Sequence, residues 1–294
     1  VTLPAAGRPH WERAWSIRTA NFPPVIHFAY PDQTAVVSVT GRDCALDCAH
    51  CGGHYLQGML APAEALDRAA GPDRPSSWLV SGGCDRRGQV PLTGRSDLLA
   101  ELGKDARLVL HVGLVDGEGA AEEVGRYATV VALDMVGDRG TAREVMGLDV
   151  GIDEYLQSYR LLSRYARVIP HLCLGLHGGE LRGERAVLEA LAQERPEEVV
   201  FLVFAPTPGT TYQSRTPPPL PEVIDLLASA RQQFPVTPLT LGCMRPRGAY
   251  RAQLDDMAVR VGINGLAVPT PAAEQAAREC GLTVVRGEEC CVLH

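Results

Sequence analysis

The chain has 294 residues, 46% of them hydrophobic and 21% charged, with a formal net charge of −7. This is the composition of a globular protein with a large core, and it argues against a disordered chain and a general nucleic-acid binder. No stretch approaches the ~20 apolar residues of a membrane span, and the opening segment lacks the basic-then-apolar order of a secretory signal, so a cytoplasmic protein is expected.

Short β-rich runs recur in regular order: AVVSVT from Ala35, SWLVSGG from Ser77, RLVLHVGL from Arg107 and VVALDMVG from Val130. RVIPHLCLGL from Arg167, VVFLVFAP from Val199, VTPLTLG from Val236 and INGLAVP from Ile263 complete a count of eight. Continuous apolar runs of this length describe strands buried on both faces of a parallel sheet. Helical segments lie between them, such as DEYLQSYRLLSRYA, with Asp153 as a candidate N-cap. Eight repeats of strand and helix predict an α/β fold of the (β/α)8 TIM-barrel type, with an open doubly wound sheet as the alternative. The predicted division is an N-terminal extension over 1–34, a barrel over 35–275, and a tail over 276–294 that closes over the barrel mouth.

Barrel active sites form at the C-terminal ends of the strands, and the chemistry-bearing motifs fall there. GRDCALDCAHCGG after the first run spaces Cys44, Cys48 and Cys51 as C-x3-C-x2-C. Three thiols can hold an iron–sulfur cluster and leave one iron open, whereas four usually complete it; a zinc knuckle is the alternative from spacing alone. SGGCD ends the second run with Ser81, Gly82, Gly83 and Cys84, and Asp134 ends the fourth. Nine cysteines fit metal or redox use better than a disulfide framework. Cys84 and Cys243 are expected at the mouth, and a tail folded over it would add Cys290 and Cys291, giving a second cluster. Cys173 and Cys280 read as small apolar residues.

In VSVTGRDCALDCAHCGG, SGG, the LD of the fourth run, GLHGGE and PTPGT, the chain resembles the radical S-adenosylmethionine (SAM) enzymes, from about Ala35 to Val268. Within them it is similar to the biotin synthase and lipoyl synthase group, and to the two-component lipoyl synthases first recognised in archaea. His50 departs from the pattern, standing where the family commonly has an aromatic ring.

The resemblance implies a [4Fe-4S] cluster on Cys44, Cys48 and Cys51, with SAM on the open iron and a 5′-deoxyadenosyl radical as the product of reductive cleavage. It implies that Ser81, Gly82 and Gly83 receive the methionine ammonium, Asp134 the ribose hydroxyls and Arg160 the SAM carboxylate. It further implies sulfur insertion at unactivated C–H carbons, most naturally on a protein-bound octanoyl chain, with sulfur from the auxiliary cluster. The expected partners are a reductant such as ferredoxin or flavodoxin, a lipoyl-accepting domain and a second radical SAM subunit, with no nucleic acid or membrane. A radical C–C rearrangement or cleavage in cofactor biosynthesis is the enzymatic alternative, and a metal-stabilised scaffold the non-enzymatic one.

Overall fold

The structure, a computed structural model, describes residues 9–294. Ten strands form one all-parallel sheet: β1 (Val25–Ala29), β2 (Thr34–Ser38), β3 (Ser77–Ser81), β4 (Arg107–His111), β5 (Val130–Asp134), β6 (Val168–Leu174), β7 (Val199–Val203), β8 (Leu239–Leu241), β9 (Gly265–Ala267) and β10 (Thr283–Gly287). Their order is β10-β1-β9-β8-β7-β6-β5-β4-β3-β2. The eight apolar runs are β2 to β9, and the fold is the curled α/β barrel that their alternation with helices predicts.

The described residues also form ten α-helices: α1 (Pro9–Asn21), α2 (Pro62–Ala70), α3 (Ser96–Gly103), α4 (Glu118–Tyr127), the single turn α5 (Arg139–Thr141), α6 (Ile152–Leu162), α7 (Glu184–Glu194), α8 (Leu220–Gln233), α9 (Ala249–Arg260) and α10 (Pro271–Glu279). Pro62 and Pro271 open α2 and α10, where a missing N–H costs nothing. Glu64 and Glu154 turn back to accept the N–H of Ala61 and Gly151. Gly151 therefore caps α6, and Asp153 lies inside its first turn rather than at the cap. No helix among the described residues is long and apolar enough to cross a membrane.

Two strands have no counterpart in the eight-run reading. β1 belongs to the segment expected as an N-terminal extension, yet it pairs with β9 and β10. Side-by-side parallel strands need a crossover of a dozen or more residues. Only four residues separate β1 from β2, so the two follow one another in the same direction and pair at opposite ends of the sheet order.

That offset decides where the C-terminal segment goes. β10 ends level with Ala29, and the chain then meets the start of β2: Gln33 N–H donates to Glu288 O at 2.8 Å, and Cys290 N–H to Thr34 Oγ1 at 2.8 Å. Arg107 at the start of β4 donates to Leu293 O at 2.7 Å and pairs with Glu289, while Arg167 just before β6 donates to Val292 O at 3.1 Å. The tail thus closes the floor of the barrel, at the N-terminal ends of the strands. This corrects the expectation that it covers the mouth.

Strand alternation separates two cores. Leu108, Leu110, Val131, Leu133, Val199 and Phe201 face outward to the helices, whereas Val109, Val130, Ala132, Ile169 and Val200 face the lumen. The lumen set packs against Cys291, Val292 and Leu293, so the tail fills the lower lumen. Higher on the same faces, two residues further along β4, β5 and β6, stand His111, Asp134 and His171.

Candidate metal centre and barrel lumen

The cysteine loop is clamped from three sides. Gly83 N–H donates to Thr40 Oγ1 at 2.7 Å and Ala45 N–H to Cys84 O at 2.8 Å, tying the loop to the end of β3. Ala49 N–H donates to Val145 O at 2.7 Å in the π turn Ala142–Met146, and Tyr212 N–H donates to Ala49 O at 2.8 Å. Gly83 must lack a side chain, because a Cβ there would lie 2.0 Å from Asp43 O and 2.7 Å from Cys44 Cβ. At Gly82 it would meet Val39 and Thr40 at 3.0 to 3.3 Å. Gly52 and Gly53, with φ of 48° and 71°, turn the chain out of the loop in the left-handed conformation.

Within this clamp, one ligating atom each from Cys48, His50 and Cys51 lie within 4.8 Å of one another. Cys48 is buried, and Cys44 and Cys51 are partly exposed. The Cys48 thiol donates to the Cys51 sulfur, which with the Gly53 N–H brings Cys51 down to about 7 against the opposing effect of burial. The same bond, burial and the neighbouring Cys51, Cys44 and Cys84 thiols push Cys48 upward. Cys44 stands outside the tight group, its Sγ 3.8 Å from Cys84 O. Burial pushes Cys84 up to about 12, with Cys44, Asp134, Asp85 and Cys51 adding to it, so Cys84 belongs to this neighbourhood. His50 is held neutral by burial, and its Nδ1 is buried without a hydrogen-bond partner.

The donor set fits a thiophilic metal group: three thiols on one short loop, two of them within 4.8 Å of each other and of a ring nitrogen of His50. Thiolates of this kind hold iron–sulfur clusters or zinc.

Below the loop lies an enclosed polar belt that the sequence reading missed apart from Asp134. His111 Nε2 and Asp134 Oδ2 are 3.2 Å apart, and the His111 and His171 ring centroids 6.3 Å apart. The Asp134 side chain keeps 52% of its accessible surface although protein surrounds it, so the lumen is open here. Burial opposes ionisation of Asp134, but His111, His171 and His50 together bring it down to about 2. Burial acts the other way on His111, and Asp134 overcomes it to raise that imidazole. His171 is lowered to about 4 by burial, assisted by His111. The signal for this belt was a polar residue interrupting an apolar run at strand period: His111 after Val109, His171 after Ile169.

The remaining expected site residues fall apart into groups. Ser81 is buried, its hydroxyl donating to His111 O at 3.2 Å. Arg160 is not at the mouth: it sits near the C-terminal end of α6, where a helix returning along the barrel reaches the floor side, and it pairs with Glu194 of α7 at 2.6 Å. Nor are Cys84, Cys243, Cys290 and Cys291 one ligand set. Cys84 follows the C-terminal end of β3, while Cys290 lies beside Thr34, the partner of Ser77 at the other end of that strand. Cys243 does reach the tail pair: burial and then Cys290 raise it, and Cys243 contributes to raising Cys291. Cys291 donates to Cys290, lowering Cys290 to about 7 against its burial. All nine cysteines are free thiols.

No protein-family model and no curated protein matches the sequence. Solved structures do match the fold. A methylornithine synthase, PylB, superposes with a TM-score of 0.68 at 13% identity, over 97% of this chain and 91% of its own. HydG, a maturase of the [FeFe]-hydrogenase, gives 0.69 at 13% identity over 97% and 69%. SuiB of Streptococcus suis bound to S-adenosylmethionine gives 0.55 at 13% identity over 82% and 58%. At such identities the likeness establishes a shared barrel architecture.

Proposed function

We propose that the protein is a radical SAM enzyme, with Cys44, Cys48 and Cys51 holding a [4Fe-4S] cluster at the barrel mouth. The observation that carries this is the clamped loop, which presents three thiols at the C-terminal ends of the strands, above an open polar lumen. The fold shared with a structure that binds S-adenosylmethionine supports it. When bound, the cluster and SAM would supply a 5′-deoxyadenosyl radical. The chain's own residues do the rest. The Gly82–Gly83 turn fixes the cysteine loop and keeps backbone groups accessible to the SAM methionine. Asp134, ionised across the working range, is available to accept from ribose or substrate hydroxyls, and the barrel wall excludes water from a reactive carbon.

Anaerobic reconstitution should give about four irons for this centre and a broad absorption near ~400 nm. Dithionite-driven turnover should convert SAM to methionine and 5′-deoxyadenosine. Protein that binds zinc instead, with no SAM cleavage after reconstitution, would sink the reading.

The outcome of the radical divides into two readings, each favoured by a separate observation. Sulfur insertion, including lipoyl synthase-like action on an octanoyl chain, is favoured by Cys243, Cys290 and Cys291, thiols that influence one another across the lumen without Cys84. It would need a second cluster, about eight irons per chain in all, a ferredoxin- or flavodoxin-like reductant, a lipoyl-accepting domain and a second subunit. A rearrangement or cleavage of a compact polar substrate is favoured by the His111, Asp134 and His171 belt, because an aliphatic chain gains nothing beside three ionisable groups. Sulfur in the product, with iron near eight, selects the first; sulfur-free product with iron near four selects the second.

A further inference from the structure

His50 has a feature that core packing does not explain. Its Nδ1 is buried with no hydrogen-bond partner, and a buried unsatisfied polar atom carries an uncompensated desolvation cost. A phenylalanine or leucine of similar size would avoid that cost. The adjoining Ala49 is pinned on both sides, through its N–H to Val145 O and through its C=O to Tyr212 N–H, which fixes the backbone from which the ring projects. One His50 ring nitrogen lies within 4.8 Å of the Cys48 and Cys51 sulfurs, so sulfur is within its reach.

We propose that His50 is a positioning residue of the metal centre, donating a ring N–H hydrogen bond to a sulfur of the cluster held by Cys44, Cys48 and Cys51. This rests on the radical SAM reading and deepens it. A hydrogen bond, rather than an iron–nitrogen bond, keeps the fourth iron open for SAM. Electron density on sulfur grows when a cluster is reduced, so a donor there stabilises the reduced state more than the oxidised one and raises the reduction potential. His50 thereby sets how strong a reductant the centre needs.

The test uses the anaerobically reconstituted full chain labelled with ¹⁵N-histidine, read by pulsed EPR of the reduced cluster, with labelled His50→Gln as the control. The expected result is a weak ¹⁵N coupling in the wild type that the control lacks. EPR-monitored redox titration should place His50→Phe at a more negative potential than the wild type, and His50→Gln, which keeps an N–H, between the two. A strong coupling typical of coordinated nitrogen, no histidine coupling at all, or equal potentials in all three proteins overturns the proposal. Should His50→Phe lose its iron, the labelled wild type still decides. A wild type that assembles a cluster and cleaves SAM without histidine coupling overturns this proposal alone; one that takes up no iron overturns the radical SAM reading with it.

Discussion

The molecule carries two groups of thiols in one barrel, and they are built differently. At the mouth, Cys44, Cys48 and Cys51 come from eight consecutive residues, and their loop is held by backbone hydrogen bonds to β3, the π turn and Tyr212. In the second group, Cys243 follows the C-terminal end of β8, and Cys290 and Cys291 belong to a tail seated at the floor by Arg107 and Arg167. The first set is local and needs the fold only to clamp it. The second exists only because β10 pairs with β1 and delivers the tail to the strand starts.

The sharpest way to break this contrast is to empty each set in turn. Alanine at Cys44, Cys48 or Cys51 should abolish SAM cleavage and remove the mouth cluster, read as iron content and 5′-deoxyadenosine formation. Alanine at Cys243, Cys290 and Cys291 together should leave SAM cleavage within a few-fold of wild type. Equal loss in both would mean that the second group serves the same centre.

Gly83→Ala should be the change outside the cysteines that most damages the mouth site. Its Cβ has no room beside Asp43 O and Cys44, and such overpacking costs about 1–3 kcal/mol or more. A lowered melting temperature together with lost iron is expected, and a variant with wild-type iron content would refute the close approach. Leu293→Ala in the tail should cost about 2–5 kcal/mol by denaturant unfolding, since it empties packed floor volume. Its iron content at the mouth should stay unchanged.

A smaller effect is expected from the lumen belt between the two ends. His171 titrates near 4 in the folded protein, below its ordinary value of about 6.5, so the unfolded chain binds the extra proton between these values. Its contribution to stability is complete above about 6.5 and is lost as pH falls through about 4. His111 has the opposite sign: its raised value adds stability at low pH that fades as pH rises through its folded value. His171→Asn should therefore flatten the acid side of the stability profile, measured as melting temperature against pH, and leave the alkaline side alone. The least effect belongs to Arg160→Ala. An ion pair made by an exposed arginine, as in Arg160–Glu194, is screened by solvent and adds little to stability, and SAM affinity should not change. A large rise in the SAM dissociation constant would restore Arg160 to the site.

Much was legible locally. The run SWLVSGG gives both β3 and the turn that receives the cysteine loop, because buried parallel strands are continuously apolar and a glycine pair marks their end. β1 and β10 were not legible: VIHFA is interrupted at its centre by His27, and TVVRG is mostly exposed and alternates weakly, so neither stands out from its flanks. Arg160 carried a family-like context, yet helix position alone does not say which end of a barrel a side chain reaches.

The sequence by itself determined the parallel α/β architecture and the thiol loop, since strand period, glycine turns and cysteine spacing act within a few residues. The tertiary structure decided which thiols meet, where the tail lies, and that His111, Asp134 and His171 share one lumen face. Those relations join residues tens to hundreds of positions apart, and they follow from strand pairing and barrel curvature, which no local pattern encodes.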